Sequence, residues 1–472
     1  MGQEISAVEF TPGDFSAFGR RLDAETALLA RQLHDGRFDR GEHAGGFELE
    51  TCLVDRALRP APLNEPLLQR LGDPDVVPEL ARFNVELNGA PQALEGSGLR
   101  QLHRDLERTW ERCNAAAHAL GAELASIGIW PTLTEADLQL DNMTDQHRYR
   151  ALNEQLLRLR GGVPTRVVID GRERLELVFP GVMLESVATS FQVHLQCDPA
   201  HAPRLFNAAH LVAAPLVAAA ANSPYLFGRD LWAETRIPVF EQAVDVGAGG
   251  GPQRVTFGHG YLERSPQELF ECNRRDYPVM LPVLLDEPPE SFAHLRLHNG
   301  TIWRWNRLLL GSDADARPHL RLEHRTLPAG PTLVDCIANA ALFYGLVSEL
   351  AADPAAPEQG LPFARARDNF YAAARDGLAA EVTWLNGRHG SVTALFVERL
   401  LATARRGLER LGVERGDRDD YLELIEARVR TGRTGSAWQR AWVRRHGADM
   451  HGLAAAYLDG QRSGRPVHEW EG

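Results

Sequence analysis

The stretch Gly46-Phe47-Glu48-Leu49-Glu50 alternates apolar and acidic side chains, which is the pattern of a half-buried β-strand. Residues i and i+2 of a strand point to the same face, so Glu48 and Glu50 share one face and the apolar side chains pack on the other. The alternation recurs with the polar sets Asn84, Glu86 and Asn88 in residues 83–88, Gln192 and His194 in residues 191–195, and Arg321, Glu323 and Arg325 in residues 320–325. If these strands lie side by side, one sheet face carries the groups of a metal and phosphate site.

Helical patterns occupy much of the remaining chain. Apolar residues recur at helical spacing before residue 39 and from Gly98 to Leu120, and the pattern is helical again over residues 200–221 and from about Ala338 to the C-terminus. Helices among strands with acidic faces favour an α+β fold, in which a mostly antiparallel sheet has an acidic face and helices cover the other face. We expect residues 1–352 to form the core and residues 353–472 to form a helical part packed on the same domain.

The chain contains no lysine, so all 51 residues of the combined lysine and arginine count are arginines. This composition excludes several kinds of enzyme. A P-loop nucleotidase needs a lysine on the phosphates, a protein kinase needs its strand lysine, and a pyridoxal enzyme needs a lysine for its Schiff base. Any phosphate bound by this chain must therefore be held by arginine, a metal ion or backbone amides.

The charge and the cysteines limit the partners and the compartment. A formal net charge of -13 argues against a protein that binds nucleic acid by neutralising its phosphates. The five cysteines are scattered without metal-binding or redox spacing, which predicts reduced thiols and a cytoplasmic protein. The longest apolar run, Leu211 to Ala221, is shorter than the roughly 20 residues that span a bilayer. We expect small-molecule partners, and the sequence leaves the oligomeric state open.

Several segments resemble, in the same order along the chain, the motifs of the glutamate–cysteine ligase family within the glutamine synthetase-like superfamily. The resemblance extends with gaps from about residue 45 to residue 335, and it is strongest to the plant and proteobacterial branch and its carboxylate–amine ligase relatives. The matching segments are residues 79–91 (F-E-L-S-G-A-P in that branch), residues 189–195 (T-x-x-Q-V-N-L), residues 222–224 (N-S-P), residues 235–236 (S-x-R) and residues 322–325 (E-x-R).

The resemblance implies a fold, a cofactor and a set of site residues. It implies a glutamine synthetase-like fold with ATP and two or three Mg²⁺ ions, or Mn²⁺ in their place. The implied metal-binding residues are Glu48, Glu50, Glu79, Glu86, Gln192 and Glu323. The implied catalytic residues are Arg236, Glu323 and Arg325, and those expected to bind substrate or ATP are Asn88, His194, Arg236, Arg307 and Arg325.

Three departures from the family pattern leave the amine substrate open. His194 stands where the branch has asparagine, and the loop between Glu79 and Glu86 lacks the paired glycines of the branch. The segment containing Trp303 and Trp305 corresponds to no cysteine-binding element, and we expect both tryptophans to pack in the core rather than to contact substrate.

The implied reaction joins a carboxylate to an amine with ATP, through an acyl phosphate, to form a γ-glutamyl or similar amide. Such chemistry requires positioning and charge stabilisation rather than a protein nucleophile, which suits a chain rich in acids and arginines. Two alternatives stay open at this point. One is an enzyme of the same fold with a different acid and amine, or a phosphotransferase that stops at the phosphorylated acid. The other is a non-catalytic nucleotide-binding protein.

Overall fold

The central sheet is built around the strand that carries Glu48 and Glu50. The computed structural model describes residues 4–41, 43–247, 251–313 and 316–471. The strands are β1 (Ala44–Asp55), β2 (Val76–Pro78), β3 (Asn84–Ala93), β4 (Ala122–Ala125), β5 (Thr165–Asp170), β6 (Arg174–Phe179), β7 (Phe191–Cys197), β8 (Tyr225–Leu226), β9 (Arg229–Asp230), β10 (Asn306–Ser312), β11 (Pro318–His324), β12 (Glu381–Thr383) and β13 (His389–Ser391). Within the described residues, seven of them form one sheet in the order β10-β11-β7-β1-β3-β2, with β4 paired to one end of β1.

Each pair of neighbouring strands in this sheet is antiparallel. The four stretches with alternating polarity form β1, β3, β7 and β11, and these lie next to one another in the sheet. The predicted α+β fold with a mostly antiparallel sheet is therefore confirmed. Apolar side chains of the same strands, such as Leu49, Val85 and Leu322, are fully buried on the other face.

Helices cover the apolar face of the sheet. The α-helices are α1 (Pro12–His34), α2 (Asn64–Leu71), α3 (Gly98–Ala119), α4 (His147–Leu159), α5 (Ala202–Ala220), α6 (Arg236–Ala243), α7 (Gln267–Asp276), α8 (Ala293–Asn299), α9 (Leu333–Ala352), α10 (Phe363–Asp376), α11 (Val392–Leu395), α12 (Leu401–Arg410), α13 (Arg415–Thr431), α14 (Gly435–His446) and α15 (Met450–Arg462). The helices α3, α5 and α9 contact β3, β10, β11 and β7.

Helix α9 is the core helix of the protein. By length and composition it could cross a membrane, but 83% of its most apolar window is buried inside the protein, as in a core helix. Its Gly345 lies against Gly407 of α12 so closely that a Cβ atom added at Gly407 would be 1.7 Å from the carbonyl oxygen of Gly345. The two helices can pack at this separation only because both positions lack a side chain.

The C-terminal helices are held to the sheet-containing part by buried polar contacts. Arg428 of α13 donates to Asp335 of α9 at 2.7 Å, and both side chains are almost fully buried. Gln439 of α14 donates to the carbonyl oxygen of Asn222 at 3.2 Å. These contacts agree with a C-terminal part packed on the same domain, although the division at residues 352 and 353 stays a prediction.

The C-terminal part also contains a hairpin where the sequence predicted helix throughout. Strands β12 and β13 pair across a short loop in which Asn386 and Gly387 have φ values of 60° and 73°. Asparagine and glycine adopt this left-handed backbone more readily than other residues, and the pair is a common signal of a hairpin turn. The prediction of helix was therefore wrong for the residues of β12 and β13.

Candidate active site

The register of the sheet brings the predicted polar side chains to one face. Directly paired residues of antiparallel strands share a face, and β1 pairs Glu48 with Gln192 of β7 and Glu50 with Glu86 of β3. Glu323 of β11 pairs in turn with His194 of β7. This face forms the floor of a cavity of about 220 Å³. Of the predicted residues, the cavity is lined by Glu48, Glu50, Glu79, Glu86, Gln192, Arg307, Glu323 and Arg325.

One group of acids, which we call the carboxylate cluster, consists of Glu50, Glu79 and Glu86. One carboxylate oxygen from each of the three lies within 4.8 Å of the others. Burial and then repulsion by Glu79 raise the pKa of Glu50 to about 7, and burial and then repulsion by Glu48 raise the pKa of Glu86 well above its ordinary value. Three acids that repel one another at this distance could hold a divalent cation, and their predicted role as metal ligands stays a prediction.

A second group, which we call the histidine cluster, consists of Glu48, His194 and Glu323. The Nε2 atom of His194 lies 3.7 Å from Oε1 of Glu48 and 3.8 Å from Oε1 of Glu323. Burial lowers the pKa of His194 to about 4, so its imidazole is neutral at physiological pH and has a lone pair to offer. The cluster can therefore contribute two carboxylates and one nitrogen to a metal ion.

Two arginines surround Glu323. Arg307 of β10 donates to both oxygens of Glu323, at 2.6 Å from Nε and 2.9 Å from Nη2, and Arg325 donates to Oε2 at 3.2 Å. Burial opposes ionisation of Glu323, but attraction by Arg307 and Arg325 outweighs it and holds the pKa of Glu323 well below its ordinary value. The carboxylate is charged at physiological pH, and its second oxygen still faces His194.

Gln192 joins the two clusters. Its side-chain nitrogen donates to Oε1 of Glu50 at 2.9 Å, and its side-chain oxygen accepts a hydrogen bond from Arg325. The oxygen that a metal ion would use is thus directed to Arg325 in this structure. The predicted role of Gln192 as a metal ligand stays a prediction.

Three of the predicted residues, Asn88, His194 and Arg236, are not among those that line the cavity. The guanidinium of Arg236 is buried, donates to Glu234 at 3.2 Å and to the carbonyl oxygen of Thr326 at 2.6 Å, and stacks over the ring of Trp305 at 5.4 Å. Asn88 lies beside the carboxylate cluster and donates to Oε1 of Glu86 at 3.1 Å. The structure thus places Arg236 behind the cavity wall and Asn88 beside the carboxylate cluster, and the substrate contacts of both stay predictions.

Sequence reasoning missed several residues of the cavity wall. Arg148 and Tyr149 enter it from α4, Glu185 from the short helical turn Met183–Val187, and Arg321 from β11. Only Arg321 had a signal in the sequence, because it shares a strand face with Glu323. Its Nε atom is buried and has no hydrogen-bond partner among the residues that the structure describes.

The two tryptophans have different surroundings, which corrects one expectation. Trp305 is fully buried in the core, as predicted, and packs edge-on against Phe240. Trp303 is half-buried and lines the cavity, so it is available to a ligand. Both tryptophans precede β10, which begins at Asn306.

A pH-dependent stability is expected from Glu185 in the metal-free protein. Burial, with repulsion from Glu79 and Glu50, raises the pKa of Glu185 from 4.5 to about 8. Between these values the folded protein keeps a proton that the unfolded chain releases, so the contribution of Glu185 to stability falls as the pH rises. The variant Glu185→Gln removes this titration. Urea unfolding across this pH range should show the variant gaining stability relative to the wild type as the pH rises, and a constant difference would contradict the assignment.

A comparison with protein families decides what this site belongs to. The family model described as glutamate–cysteine ligase family 2 matches residues 45–456, which is most of the chain. The chain belongs to glutamate–cysteine ligase family 2. The predicted family is thereby confirmed, and the chain is a glutamate–cysteine ligase-like, ATP-dependent carboxylate–amine ligase. The assignment to the plant and proteobacterial branch stays a prediction.

Solved structures support the same fold. A glutamate–cysteine ligase from Francisella tularensis, in complex with AMP, is 12% identical with a TM-score of 0.60, and the match covers 92% of this chain and 91% of that one. A bifunctional glutathione synthetase from Pasteurella multocida is 14% identical with a TM-score of 0.52, and the match covers 92% of this chain and 55% of that one. No curated protein sequence matches the chain. The glutamine synthetase-like fold of this family member is confirmed.

Proposed function

We propose that this family member uses ATP and Mg²⁺ to join the γ-carboxylate of glutamate to an amine, with cysteine as the first amine to test. The observation that carries the proposal is the sheet register, which sets two acidic clusters and the arginines Arg307 and Arg325 on one face of one cavity. A ligase of this kind must bring a polyphosphate and a carboxylate together, and both are anions. Acids that bind divalent cations, next to arginines that donate two parallel hydrogen bonds, are suited to binding both anions.

The donor set fits divalent ions. Glu50, Glu79 and Glu86 would hold one ion through oxygen atoms, and the histidine cluster would hold a second. Because Nε2 of His194 is buried without a hydrogen-bond partner in the described structure, an ion would give this atom the partner it lacks. Bound Mg²⁺ would neutralise phosphate charge and so favour phosphoryl transfer.

The arginines of the cavity are suited to the anionic groups. Arg307 and Arg325 lie beside the histidine cluster, and Arg321 and Arg296 lie along the same wall. Arginine presents a planar fork of donors that matches both carboxylate and phosphate oxygens. We assign Arg321 and Arg296 to the phosphates of ATP, because neither has an acidic partner within ion-pair distance among the described residues.

The reaction we propose has two steps. An oxygen of the substrate carboxylate attacks the γ-phosphorus of ATP, the bond from that phosphorus to the bridging oxygen breaks, and ADP leaves. The amine nitrogen, after its ammonium form has released one proton to water, then attacks the carbonyl carbon of the acyl phosphate. Inorganic phosphate leaves with the bonding electrons, and it takes up the second proton that the nitrogen loses as the amide forms. Water must be kept from the acyl phosphate meanwhile. Apolar side chains such as Leu152, Phe240 and Trp303 in the cavity wall serve this purpose.

The experiment that tests the proposal is phosphate release from ATP with Mg²⁺ and glutamate, across a panel of amines that includes cysteine, followed by mass spectrometry. Release that requires cysteine and yields a γ-glutamyl dipeptide is the expected result. Release with another amine would keep the mechanism and change the substrate. A phosphorylated acid formed equally with and without amine would identify a phosphotransferase instead, and no release with any carboxylic acid would refute the proposal.

A nucleotide-binding measurement tests the role of Glu48. The variant Glu48→Gln keeps the shape of the side chain but removes a negatively charged carboxylate, a candidate metal ligand, from the histidine cluster. We expect its affinity for ATP in the presence of Mg²⁺ to fall at least about 10-fold, by analogy with the 10–100-fold effects of changes around metal ligands. Calorimetric titration would measure it. Glu65→Gln, on the exposed surface of α2, serves as the control and should bind like the wild type.

A further inference from the structure

Both backbone polar groups of Arg325 are held from behind the cavity wall. Its N–H donates to the carbonyl oxygen of Trp305 at 2.9 Å, and its carbonyl oxygen accepts a hydrogen bond from Nη2 of Arg236 at 3.3 Å. Trp305 and Arg325 lie one step beyond Asn306 and His324, the pair at which β10 and β11 end their pairing. Hydrogen bonds at the end of a strand pair open most readily, so the place of Arg325 depends on what holds Trp305.

The indole of Trp305 is held by a carboxylate. Its Nε1 donates to Oε1 of Glu241, on α6, at 2.8 Å. The hydroxyl of Tyr371 donates to the same oxygen at 2.8 Å. The indole also packs against the ring of Phe370, the neighbour of Tyr371 on α10, with 6.0 Å between the ring centroids. One oxygen of Glu241 therefore connects the start of β10 with α6 and α10.

Glu241 itself does not contact the groups that we assign to the reaction. It is not among the residues that line the cavity, although its neighbour Phe240 is, and it belongs to neither acidic cluster. Glu241 can therefore act on the reaction only through the residues that it holds. Of these, Trp305 leads directly to Arg325 through one backbone hydrogen bond.

We propose that Glu241 and Tyr371 are positioning residues that set the place of Arg325 through Trp305. Misplacing a charge-stabilising group by about 1 Å can lower a rate about 10²-fold, even when the altered residue is distant from the chemistry. Helix α10 thereby takes part in the site, although none of its residues, all of which the structure describes, lines the cavity. The inference rests on the proposed function insofar as Arg325 acts on the anionic substrates.

Kinetics of two variants at Glu241 test this inference. Glu241→Ala removes the acceptor of both hydrogen bonds, and we expect kcat to fall about 10-fold while the affinity for ATP is unchanged. Glu241→Gln keeps an acceptor oxygen and should restore most of the rate. The matched control is Glu349→Ala, because Glu349 accepts from Arg406 and Arg410 outside the cavity lining and should be replaceable without a change in kcat. Thermal unfolding of each variant would establish that it is folded.

A double variant shows whether Glu241 acts through Arg325. Arg325→Lys alone should lower kcat about 10²-fold. Adding Glu241→Ala to Arg325→Lys should lower kcat by less than about 2-fold more, whereas independent effects would multiply. A multiplicative loss, or wild-type kcat in Glu241→Ala, would overturn the inference and leave the ligase assignment intact.

Hydrogen exchange gives a readout that needs no turnover. The backbone N–H of Arg325 should exchange faster in Glu241→Ala than in the wild type, because the carbonyl group that accepts from it is less firmly held. An unchanged exchange rate would overturn the inference. If the wild type released no phosphate with any carboxylic acid, the proposed function would fail, and the exchange rate would still decide whether Glu241 positions Arg325. If Glu241→Ala does not fold, Tyr371→Phe, which removes one of the two donors, replaces it in both measurements.

Discussion

Replacing Glu323 with glutamine is expected to lower kcat by about 10²–10³-fold and the free energy of unfolding by about 3–5 kcal/mol. The carboxylate is fully buried and forms a two-pronged ion pair with Arg307, with a further contact from Arg325. Removing its charge leaves two buried guanidinium groups without their counterion. The substitution also removes a charged carboxylate, a candidate metal ligand, from the histidine cluster.

Single-turnover kinetics and urea unfolding would measure the two effects of Glu323→Gln separately. The control is Glu176→Gln, which removes a carboxylate from an exposed ion pair with Arg166 and should change neither quantity. A variant with wild-type kcat would contradict the placement of Glu323 at the reacting groups. A variant with an unchanged free energy of unfolding would contradict the view that Arg307 and Arg325 need the charge of Glu323 to be stable when buried.

Replacing Arg325 with lysine is expected to lower kcat by about 10²-fold although the positive charge is kept. Arg325 donates to Gln192 and to Glu323 from one nitrogen, and its buried Nε has no hydrogen-bond partner among the described residues. The guanidinium can thus hold its position in the sheet with one nitrogen and offer another to a ligand. The single ammonium of lysine cannot do both with the same geometry.

The measurement for Arg325→Lys is steady-state kinetics together with the binding affinity for ATP. We expect kcat to change far more than the affinity, because the missing interaction is strongest where charge develops in the transition state. Arg430→Lys, in an exposed ion pair on α13, is the control for an arginine-to-lysine change. Near-normal turnover of Arg325→Lys would refute the proposal that Arg325 uses separate guanidinium nitrogens for the protein and for a ligand.

The faces of the strands could be predicted from the sequence because their pattern is local. Alternation with period two identified which residues of β1, β3, β7 and β11 share a face, and the structure brings these four strands together. The pairing of Glu323 with His194 could not be predicted from a pattern, since the register joins residues far apart in the chain. The resemblance to the family implied only that both residues belong to one site.

The remaining site residues depend on tertiary packing. Glu185 lies on a helical turn and Arg148 on a helix, and neither has a periodic pattern that directs it to the cavity. Arg236 illustrates the converse, because its motif suggested a ligand contact but the arrangement of Trp305 and Glu234 directs its guanidinium elsewhere. The surroundings of such residues are set by elements distant in sequence, so a motif alone does not determine them.

The order of strands in the sheet has a consequence for synthesis on the ribosome. Glu48 and Glu323 are 275 residues apart (323 minus 48). Strand β7 lies between β1, which is synthesised before it, and β11, which is synthesised much later. Until about two thirds of the polypeptide has been translated, β7 is an unpaired edge that can pair with another nascent chain. We expect ribosome-bound chains that end before Asn306 to remain bound to a chaperone. Chains that extend well past His324, the last residue of β11, should dissociate from the chaperone.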